Sequence, residues 1–405
     1  MKRRLLSVIK LLLKIKFIFR SPKKHEIVVF DDESSGDLEN FIYNYNSFIL
    51  QNRITNINKI YLSFRVIKNF FRNYNGNIMT AYIVTLLEII EPKIVLTFID
   101  NSLKFFDVAK ILDNKIYFIA IQNGARYDLK IQKHLYETKK IKSDLNKNFY
   151  IPYFMCFGEL EIEDYKKNAI QVKNFYKVGS LRHANFFEHL NKNKIKLEKS
   201  LYDICLISDH MPIGTNDKFG LPNIEGGFAL TIKYTIQFCI KHKMKMVFAW
   251  KRDKKQSPEA FRQEIEFYKK YLNDEEFSFM KKNSLEKDRF ASYKAMYQSK
   301  VVIATYSTLL REHLGAGGKI LSCNCTSSNI FDFPDEGICS IKNCNFEEFE
   351  KRLLEICSIS KEIYFSKLNK NKCYTMEYDH KISTIEILKN KIDAFLIDKT
   401  LSNKL

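Results

Sequence analysis

Among its 405 residues the chain has nine cysteines, and no two of them form a C-x-x-C pair. The spacing that marks most zinc and redox motifs is therefore absent, and an odd number of scattered cysteines indicates no disulfide framework. A zinc site could be drawn from Cys323, Cys325, Cys339 and Cys344, but their spacing matches no zinc knuckle. We therefore expect no metal and no required cofactor, and the cysteines favour a reducing compartment.

The chain also lacks an uninterrupted apolar run near the about 20 residues that a transmembrane helix requires. At the amino terminus Lys10, Lys14 and Lys16 interrupt the apolar stretch, and no small-residue cleavage site follows. Residues 1–24 instead predict a basic amphipathic segment that lies on an anionic membrane surface; the alternative is a helix packed on the protein itself. We expect a cytoplasmic protein, held peripherally on the inner face of the cytoplasmic membrane.

Charge of one sign is in excess, with 66 Lys and Arg against 47 Asp and Glu and a formal charge of +19. This balance favours anionic partners, such as nucleotides, nucleic acid or an acidic bilayer. A nucleic-acid-binding protein is the alternative from a different class, but the lysines are dispersed and no aromatic-basic module is present. We expect no nucleic-acid partner, and a salt titration of binding to plain DNA would discriminate the two classes.

Strand patterns alternate with helix patterns along most of the chain, which is long enough for two domains. Short apolar runs with polar endings, typical of buried parallel strands, include KIYLSF, KIVLTFID, IYFIAIQNG, YDICLISD, KMVFAWK, FSFM and VVIATYS. The fold class is therefore α/β, with two Rossmann-like doubly wound domains that face a cleft. The predicted divisions are a first domain over residues 25–180, a connection over 181–200, a second domain over 201–357 and a C-terminal helical segment over 358–405.

Ligands of doubly wound sheets bind beyond the carboxyl ends of the strands, so the polar residues there are the candidate site. The first domain supplies acids, amides and one cation, namely Asp31, Asp32, Asp100, Asn101, Gln122, Asn123 and Arg126. The second domain supplies hydroxyls, cations and one acid, namely Ser208, Lys251, Arg252, Tyr306, Ser307, Thr308 and Glu312. Such an asymmetry suits a reaction between an uncharged acceptor and a phosphate-linked donor.

The stretch ATYSTLLREHLGAGGK at residues 304–319 predicts a strand that ends in hydroxyls and a short helix that ends at glycines. Ser307 or Thr308 can cap this helix and leave backbone N–H groups for a phosphate. A capping box would need Glu or Gln at position 310 or 311, which Glu312 does not fill. Its carboxylate is therefore a candidate acceptor for ribose hydroxyls; the alternative is an acid favoured by the helix dipole.

Three segments together resemble nucleotide-sugar glycosyltransferases of the GT-B fold, of the bacterial surface-carbohydrate and capsule-synthesis branch. They are VGS at residues 178–180, S-T-L-x-x-E at 307–312 and G-x-G-G-K-I-L at 315–321. PKIVLTFIDNSLKFF followed by IAIQNGAR is similar to the amino-terminal domain of surface-carbohydrate biosynthesis proteins. The resemblance implies a nucleotide-sugar donor on the second domain, a glycan acceptor on the first, here expected to be lipid-linked, and no required metal.

The chain departs from the commoner GT-B pattern because it has no clear E-x7-E pair and no glycine-rich loop after its first strand. These departures leave the donor open, including a CMP-linked ulosonic acid. A CDP-alditol glycerophosphotransferase would use the same fold, but its usual paired histidines are not found. A nucleotide-sugar epimerase also shares the architecture and needs no acceptor.

Glycosyl transfer needs a base for the acceptor hydroxyl and positive charge for the departing phosphate. We expect Asp100 to be the base, because it follows the most apolar strand of the first domain; the alternative is an N-cap. Asp31 and Asp32 are the reserve carboxylates. Lys251 and Arg252 are the expected phosphate ligands. Contacts with the acceptor or sugar are expected from Asn101, Gln122, Asn123 and Arg126.

Overall fold

The computed structural model describes residues 15–33, 35–53, 57–126, 148–210, 223–285, 288–379 and 381–398. A six-stranded parallel sheet forms the first domain, in the order β3-β2-β5-β6-β7-β8. Its strands are β2 (Ile27–Val29), β3 (Ser47–Ile49), β5 (Ile94–Thr97), β6 (Tyr117–Ile121), β7 (Tyr150–Cys156) and β8 (Gln171–Lys177). Alternate side chains of these strands enter two separate apolar clusters, one on each face of the sheet. This burial on both faces explains why the strands read as continuous apolar runs.

The helices around this sheet are α1 (Glu39–Ile42), α2 (Phe64–Asn73), α3 (Ile78–Ile90), α4 (Leu103–Leu112), α5 (Glu159–Lys167) and α6 (Leu181–Lys192). Most of these helices are capped at the amino end by a polar side chain that directly precedes them. Ser63, Ser102 and Ser180 each accept a hydrogen bond from the backbone N–H three residues later. The helix after Asp100 is thus capped by Ser102, and the alternative interpretation of Asp100 as its N-cap is wrong.

The second domain contains a five-stranded parallel sheet in the order β10-β9-β11-β12-β13. Its strands are β9 (Tyr202–Ile207), β10 (Met246–Ala249), β11 (Ser299–Ala304), β12 (Lys319–Asn324) and β13 (Ser340–Lys342). Its helices are α7 (Ile224–Lys241), α8 (Pro258–Tyr271), α9 (Asp274–Lys282), α10 (Ala291–Tyr297), α11 (Thr308–Gly315), α12 (Phe346–Ser358) and α13 (Lys361–Ser366).

Two strand predictions were wrong or incomplete. The run FSFM lies inside α9, because Asn273 and Glu276 form a reciprocal capping box that starts a helix just before it. The run KIYLSF forms only a three-residue strand, β4 (Lys59–Tyr61), which pairs with β1 (Lys16–Ile18) and not with the six-stranded sheet. Phe17 therefore belongs to a strand, and not to an amino-terminal helix.

The chain crosses between the domains twice. Helix α6 contributes Leu181 to an apolar cluster of the first domain and Phe186 to the core of the second. After α13, whose buried Tyr364 donates to the carbonyl of Ile320 at 2.8 Å, the chain returns to the first domain. There α14 (Thr384–Ile397) buries Leu388 against the first sheet. The predicted helical segment over 358–405 thus serves both domains.

Residues 1–14, which carry most of the predicted membrane-surface segment, lie outside the described residues. Across the part of the chain that the structure describes, no helix combines the length and hydrophobicity needed to cross a bilayer.

Candidate functional site

The first five strands of each sheet have the same order. The second strand in the chain forms one edge of the sheet, the first strand lies next to it, and the later strands follow on the other side of the first. All of these strands are parallel, but the side on which successive strands are added changes between β2 and β5 in the first domain and between β9 and β11 in the second. Crevices for ligands form at such switch points, beyond the carboxyl ends of the strands. The two carboxyl edges meet directly, because the backbone N–H of Ala125 donates to Oγ1 of Thr308 at 2.9 Å.

Asp100 lies at this edge of the first domain and is fully buried. Arg126 holds its carboxylate through both oxygens, with Nε at 2.7 Å from Oδ2 and a terminal nitrogen on Oδ1. The backbone N–H of Asn123 also donates to Oδ1 of Asp100, at 3.2 Å. The side-chain oxygen of Asn123 accepts from Arg126 at 2.7 Å. Asn101 is half-buried next to Asp100. Since Arg126 neutralises Asp100, a role as general base requires the pair to separate when the acceptor binds.

The reserve carboxylates occupy the neighbouring strand end. Asp31 is buried and accepts from Nε of Arg53 at 2.8 Å and from the backbone N–H of Glu33 at 2.9 Å. Asp32 is half-buried and lines a cavity of about 290 Å³. Asp31 therefore has a positional role in this structure, whereas Asp32 faces space that a ligand can enter.

Gln122 belongs to a buried network that joins the domains. Its amide nitrogen donates to Glu161 at 3.1 Å, and its amide oxygen accepts from the backbone N–H of Phe157 at 2.8 Å. Arg311 of the second domain forms an ion pair with the same Glu161 at 2.6 Å and donates to the carbonyl of Thr375. Glu161 and Arg311 were not predicted from the sequence, and no local pattern distinguishes them from surface residues of a helix.

Glu312 is buried where the connection meets the second domain. Its Oε1 accepts from the hydroxyl of Ser180 and from that of Tyr293 at 3.1 Å. Its Oε2 is buried and has no hydrogen-bond partner in the described chain. Burial raises the pKa of this carboxyl to about 7, against the opposing effect of the two hydroxyl donors. The structure thus brings the serine of VGS into contact with the glutamate of S-T-L-x-x-E.

Ser307 caps α11, as the sequence predicts, and its Oγ accepts from the backbone N–H of Leu309 at 3.3 Å. The preceding turn is held by Asp209, whose Oδ2 accepts from the backbone N–H groups of Thr305 and Tyr306 at 2.6 and 3.0 Å. Burial raises the pKa of Asp209. Its carboxylate fixes the switch point of the second sheet by linking the ends of β9 and β11.

The side chain of Ser208 points into the core of the second domain. Its hydroxyl donates to Glu264 and lies 2.6 Å from that of Tyr268. Glu264 in turn accepts from the backbone N–H groups of Lys251 at 3.0 Å and Arg252 at 2.9 Å. Ser208 was predicted as a donor ligand, but its hydroxyl supports the turn at residues 251–252 through Glu264. The side chains of Lys251 and Arg252 are exposed and remain accessible to a ligand.

His210 follows the end of β9 and is buried. Neither ring nitrogen has a hydrogen-bond partner among the residues the structure describes. Burial, with the nearby charges of Lys251 and Arg252, lowers its pKa to about 4. The Nζ of Lys251 donates to the backbone carbonyl of His210 at 3.2 Å. A neutral imidazole therefore lies beside two cations at the crevice, where it can donate to or accept from a ligand.

Three of the four cysteines considered above come together. The sulfurs of Cys323 and Cys325 are 3.5 Å apart, and those of Cys323 and Cys344 are 3.8 Å apart. Cys339 lies apart and donates to the carbonyl of Asp335. No fourth His, Cys, Asp or Glu joins this group within the described ranges. A closed structural zinc site uses four protein ligands, so the three thiols do not complete one by themselves.

No family model and no curated protein matches the sequence. Among solved structures, the chain is similar to the UDP-GlcNAc 2-epimerase of Methanocaldococcus jannaschii in complex with UDP-GlcNAc and UDP, with a TM-score of 0.53 and 10% identity. That similarity covers 91% of this chain and 99% of the epimerase. It confirms the predicted architecture of two Rossmann-like domains, the GT-B fold.

Two further similarities have lower TM-scores. The UDP-GlcNAc 2-epimerase of Neisseria meningitidis is 12% identical with a TM-score of 0.46, over 93% of this chain and 99% of its own. The wall teichoic acid polymerase TagF is 10% identical with a TM-score of 0.44, over 92% of this chain and 89% of its own.

Proposed function

We propose that this protein is a nucleotide-sugar-dependent glycosyltransferase whose donor binds on the second domain. The observation that carries this proposal is the buried, neutral His210 beside Lys251 and Arg252, at the switch point of the second sheet. A diphosphate needs neutral donors and positive charge at the place where the leaving-group charge develops. The imidazole and the two cations supply both, and α11 begins at the same edge.

The acceptor belongs, in this proposal, on the first domain. Asp100 is the base once a bound acceptor displaces Arg126, and Asn101 and Asn123 contact the acceptor or sugar. The amide of Gln122 is buried and bonded to Glu161 and Phe157, so we assign it to holding this edge in place. The acidic and amide character of this edge matches a neutral sugar hydroxyl. The proposed product is a growing bacterial surface glycan, and a CMP-linked ulosonic acid remains one of the donors to test.

Nucleotide binding tests the donor side. Melting temperatures of the full chain are measured with CMP, CDP, UDP and GDP, since a ligand at 100 times its Kd stabilises by about 2.7 kcal/mol. At least one nucleotide should stabilise the protein. In this proposal Oε2 of Glu312, which has no partner among the described residues, accepts from a ribose hydroxyl. Glu312→Gln keeps one oxygen for Ser180 and Tyr293 but replaces Oε2 by an amide, so nucleotide affinity should fall by about 1–3 kcal/mol. The proposal fails if none of the four nucleotides changes the melting temperature.

Epimerisation is the second candidate, because the structure with a TM-score of 0.53 is an epimerase with bound UDP-GlcNAc and UDP. An epimerase turns over a nucleotide-sugar without an acceptor, whereas a transferase does so only slowly by hydrolysis. Incubation with UDP-GlcNAc alone, followed by analysis of both the remaining nucleotide-sugar and any free sugar, separates them. Catalytic formation of a 2-epimer, either still linked to UDP or free together with an equal amount of UDP, would replace the transferase proposal.

The proposed place of work is the inner face of the cytoplasmic membrane, reached through residues 1–20. Basic side chains near an anionic bilayer contribute about 1 kcal/mol each, and apolar side chains add to this. Flotation with anionic liposomes should carry the full chain, and less of a chain that starts at Ile15, which keeps β1 paired with β4. Equal flotation of both forms would show that residues 1–14 make no contribution.

A further inference from the structure

The first domain contains an apolar groove whose residues take no part in the proposed donor and acceptor contacts. It has a volume of about 390 Å³ and lies between α2, the start of α3 and β4. Its walls are built almost wholly from aliphatic and aromatic side chains, among them Ile60, Val66, Ile67, Phe70, Phe71 and Ile78. A cavity of this size and lining is suited to a hydrocarbon ligand.

The mouth of the groove is open to solvent. Phe71 is 72% exposed, Ile78 is 67% exposed and Ile67 is 42% exposed, although all three line the groove. Phe64, at the start of α2, extends the apolar surface beyond the mouth with 83% of its area exposed. Contiguous apolar surface of this kind on a protein marks a binding site for an apolar partner.

A second cavity, lined by both polar and apolar side chains, adjoins the groove. The second cavity, of about 290 Å³, shares Leu50, Gln51, Lys59 and Tyr82 with the groove. At its other side it is lined by Asp32, which follows the carboxyl end of β2 at the edge where the domains meet. The two adjoining cavities therefore place apolar side chains of the mouth and Asp32 of the proposed acceptor edge on either side of one shared wall.

Positive charge lies where the two cavities join. Lys59 lines both of them, is exposed, and forms no ion pair with any described acid. Lys68, on the same helix as the exposed apolar residues of the mouth, is exposed as well. A phosphate between a hydrocarbon chain and a sugar would be neutralised at this junction.

We propose that the groove binds the hydrocarbon chain of a lipid-linked phosphate acceptor. In this arrangement the chain occupies the groove, the phosphate lies at Lys59 and the saccharide extends past Asp32 toward the proposed donor site. The inference rests on the proposed transferase function and names the class of its acceptor. It also gives Asp32 a defined neighbour, namely the first sugar after the phosphate.

Binding of dodecyl phosphate below its micelle concentration tests the groove directly, by calorimetry on the full chain without nucleotide. One molecule should bind, and inorganic phosphate should not compete with it. Ile67→Ser combined with Phe71→Ser should weaken binding by about 10-fold or more, because apolar contact area is lost. The matched control combines Leu103→Ser and Ile397→Ser, at positions that are 41% and 77% exposed and lie outside the groove, and should bind as wild type does.

Lys59→Gln should weaken dodecyl phosphate several-fold and leave dodecyl glucoside unchanged, because only the former carries the charge. Equal binding by the groove variant and its control would overturn the proposal. So would binding that appears only after residues 1–14 are removed, since the chain's own segment before β1 would then be the occupant.

The two proposals fail separately. A protein that is stabilised by a nucleotide but does not bind dodecyl phosphate at the groove contradicts the acceptor inference alone. A protein that binds dodecyl phosphate but no nucleotide contradicts the transferase proposal and leaves an amphiphile site.

Discussion

The two sheets have the same strand order, yet the charged groups at their carboxyl edges are satisfied in different ways. In the first domain the acids are paired with arginines, Asp100 with Arg126 and Asp31 with Arg53. In the second domain Glu312 accepts only from neutral hydroxyls, and the pKa of buried His210 falls to about 4.

This difference shows that strand order alone does not decide the chemistry of an edge. Two hydroxyl donors do not offset the burial of Glu312, and burial raises the pKa of its carboxyl. The second domain therefore contains a carboxyl, that of Glu312, whose pKa is raised to about 7, and the first contains two acids that accept from arginines.

The largest effect is expected where the two edges are joined, at the ion pair between Arg311 and Glu161. Arg311→Met leaves Glu161 buried without its cation, so unfolding free energy should fall by about 3–5 kcal/mol in urea titrations. Arg262→Ala, which removes an exposed ion pair with Glu259, is the control and should leave the urea midpoint nearly unchanged. Similar midpoints for the two variants would mean that the domains do not depend on this pair.

The titration of Glu312 should be visible in stability. Its folded pKa of about 7 lies above the ordinary glutamate value of 4.5, so the folded state binds more protons between these values. Stability from this group is therefore complete below about pH 4.5 and is lost as pH rises to about 7, by about 3 kcal/mol in total. Urea titrations from pH 5 to 7.5 should show this loss in wild type relative to Glu312→Gln.

The comparison with Glu312→Gln matters because other buried groups titrate in the opposite sense. Burial lowers the pKa of both His183 and His313 to about 3, so their contribution to stability increases as pH rises toward 6.5. Wild type and Glu312→Gln share this histidine contribution, so it cancels when their unfolding free energies are compared. Parallel curves for wild type and Glu312→Gln would place the carboxyl pKa near its usual value.

Asp100→Asn tests the proposed base at the carboxyl edge of the first-domain sheet. The amide keeps the shape and still accepts from Arg126 but cannot take a proton, so turnover should fall by about 10²-fold or more. The assay uses the nucleotide-sugar whose nucleotide stabilises the protein. Asp107→Asn, on the exposed face of α4, should retain wild-type turnover. Wild-type turnover in Asp100→Asn would move the proposed base to Asp31 or Asp32.

The smallest effect, a modest loss of nucleotide affinity, is expected for the exposed cations at the carboxyl edge of the second-domain sheet. Lys251→Gln should weaken the affinity for the stabilising nucleotide by about 0.5–1 kcal/mol, less so at high salt, because solvent screens an exposed charge. Lys300→Gln, at the opposite end of the same sheet and paired with Asp203 at 2.7 Å, is the matched control. Equal nucleotide affinity in both variants would remove Lys251 from the donor site.

Local patterns in the sequence determined the two doubly wound sheets, because apolar runs and capping serines act on their own neighbours. Ser307 caps α11 as predicted, β5, β6 and β9 lie in the apolar runs that predicted them, and β11 overlaps its run. The same reasoning failed at FSFM, where a capping box four residues earlier outweighed the apolar pattern.

The partners of the charged groups were decided only by the tertiary structure. Arg311 meets Glu161 across 150 residues, and Ser180 meets Glu312 across 132. The cavity at Asp32 and the apolar groove likewise share Lys59 of β4 and Tyr82 of α3, two elements joined by the hydrogen bond from the backbone N–H of Tyr61 to the hydroxyl of Tyr82. A side chain's charge state depends on its burial and on the groups that face it, and these are set by which strands end side by side in space.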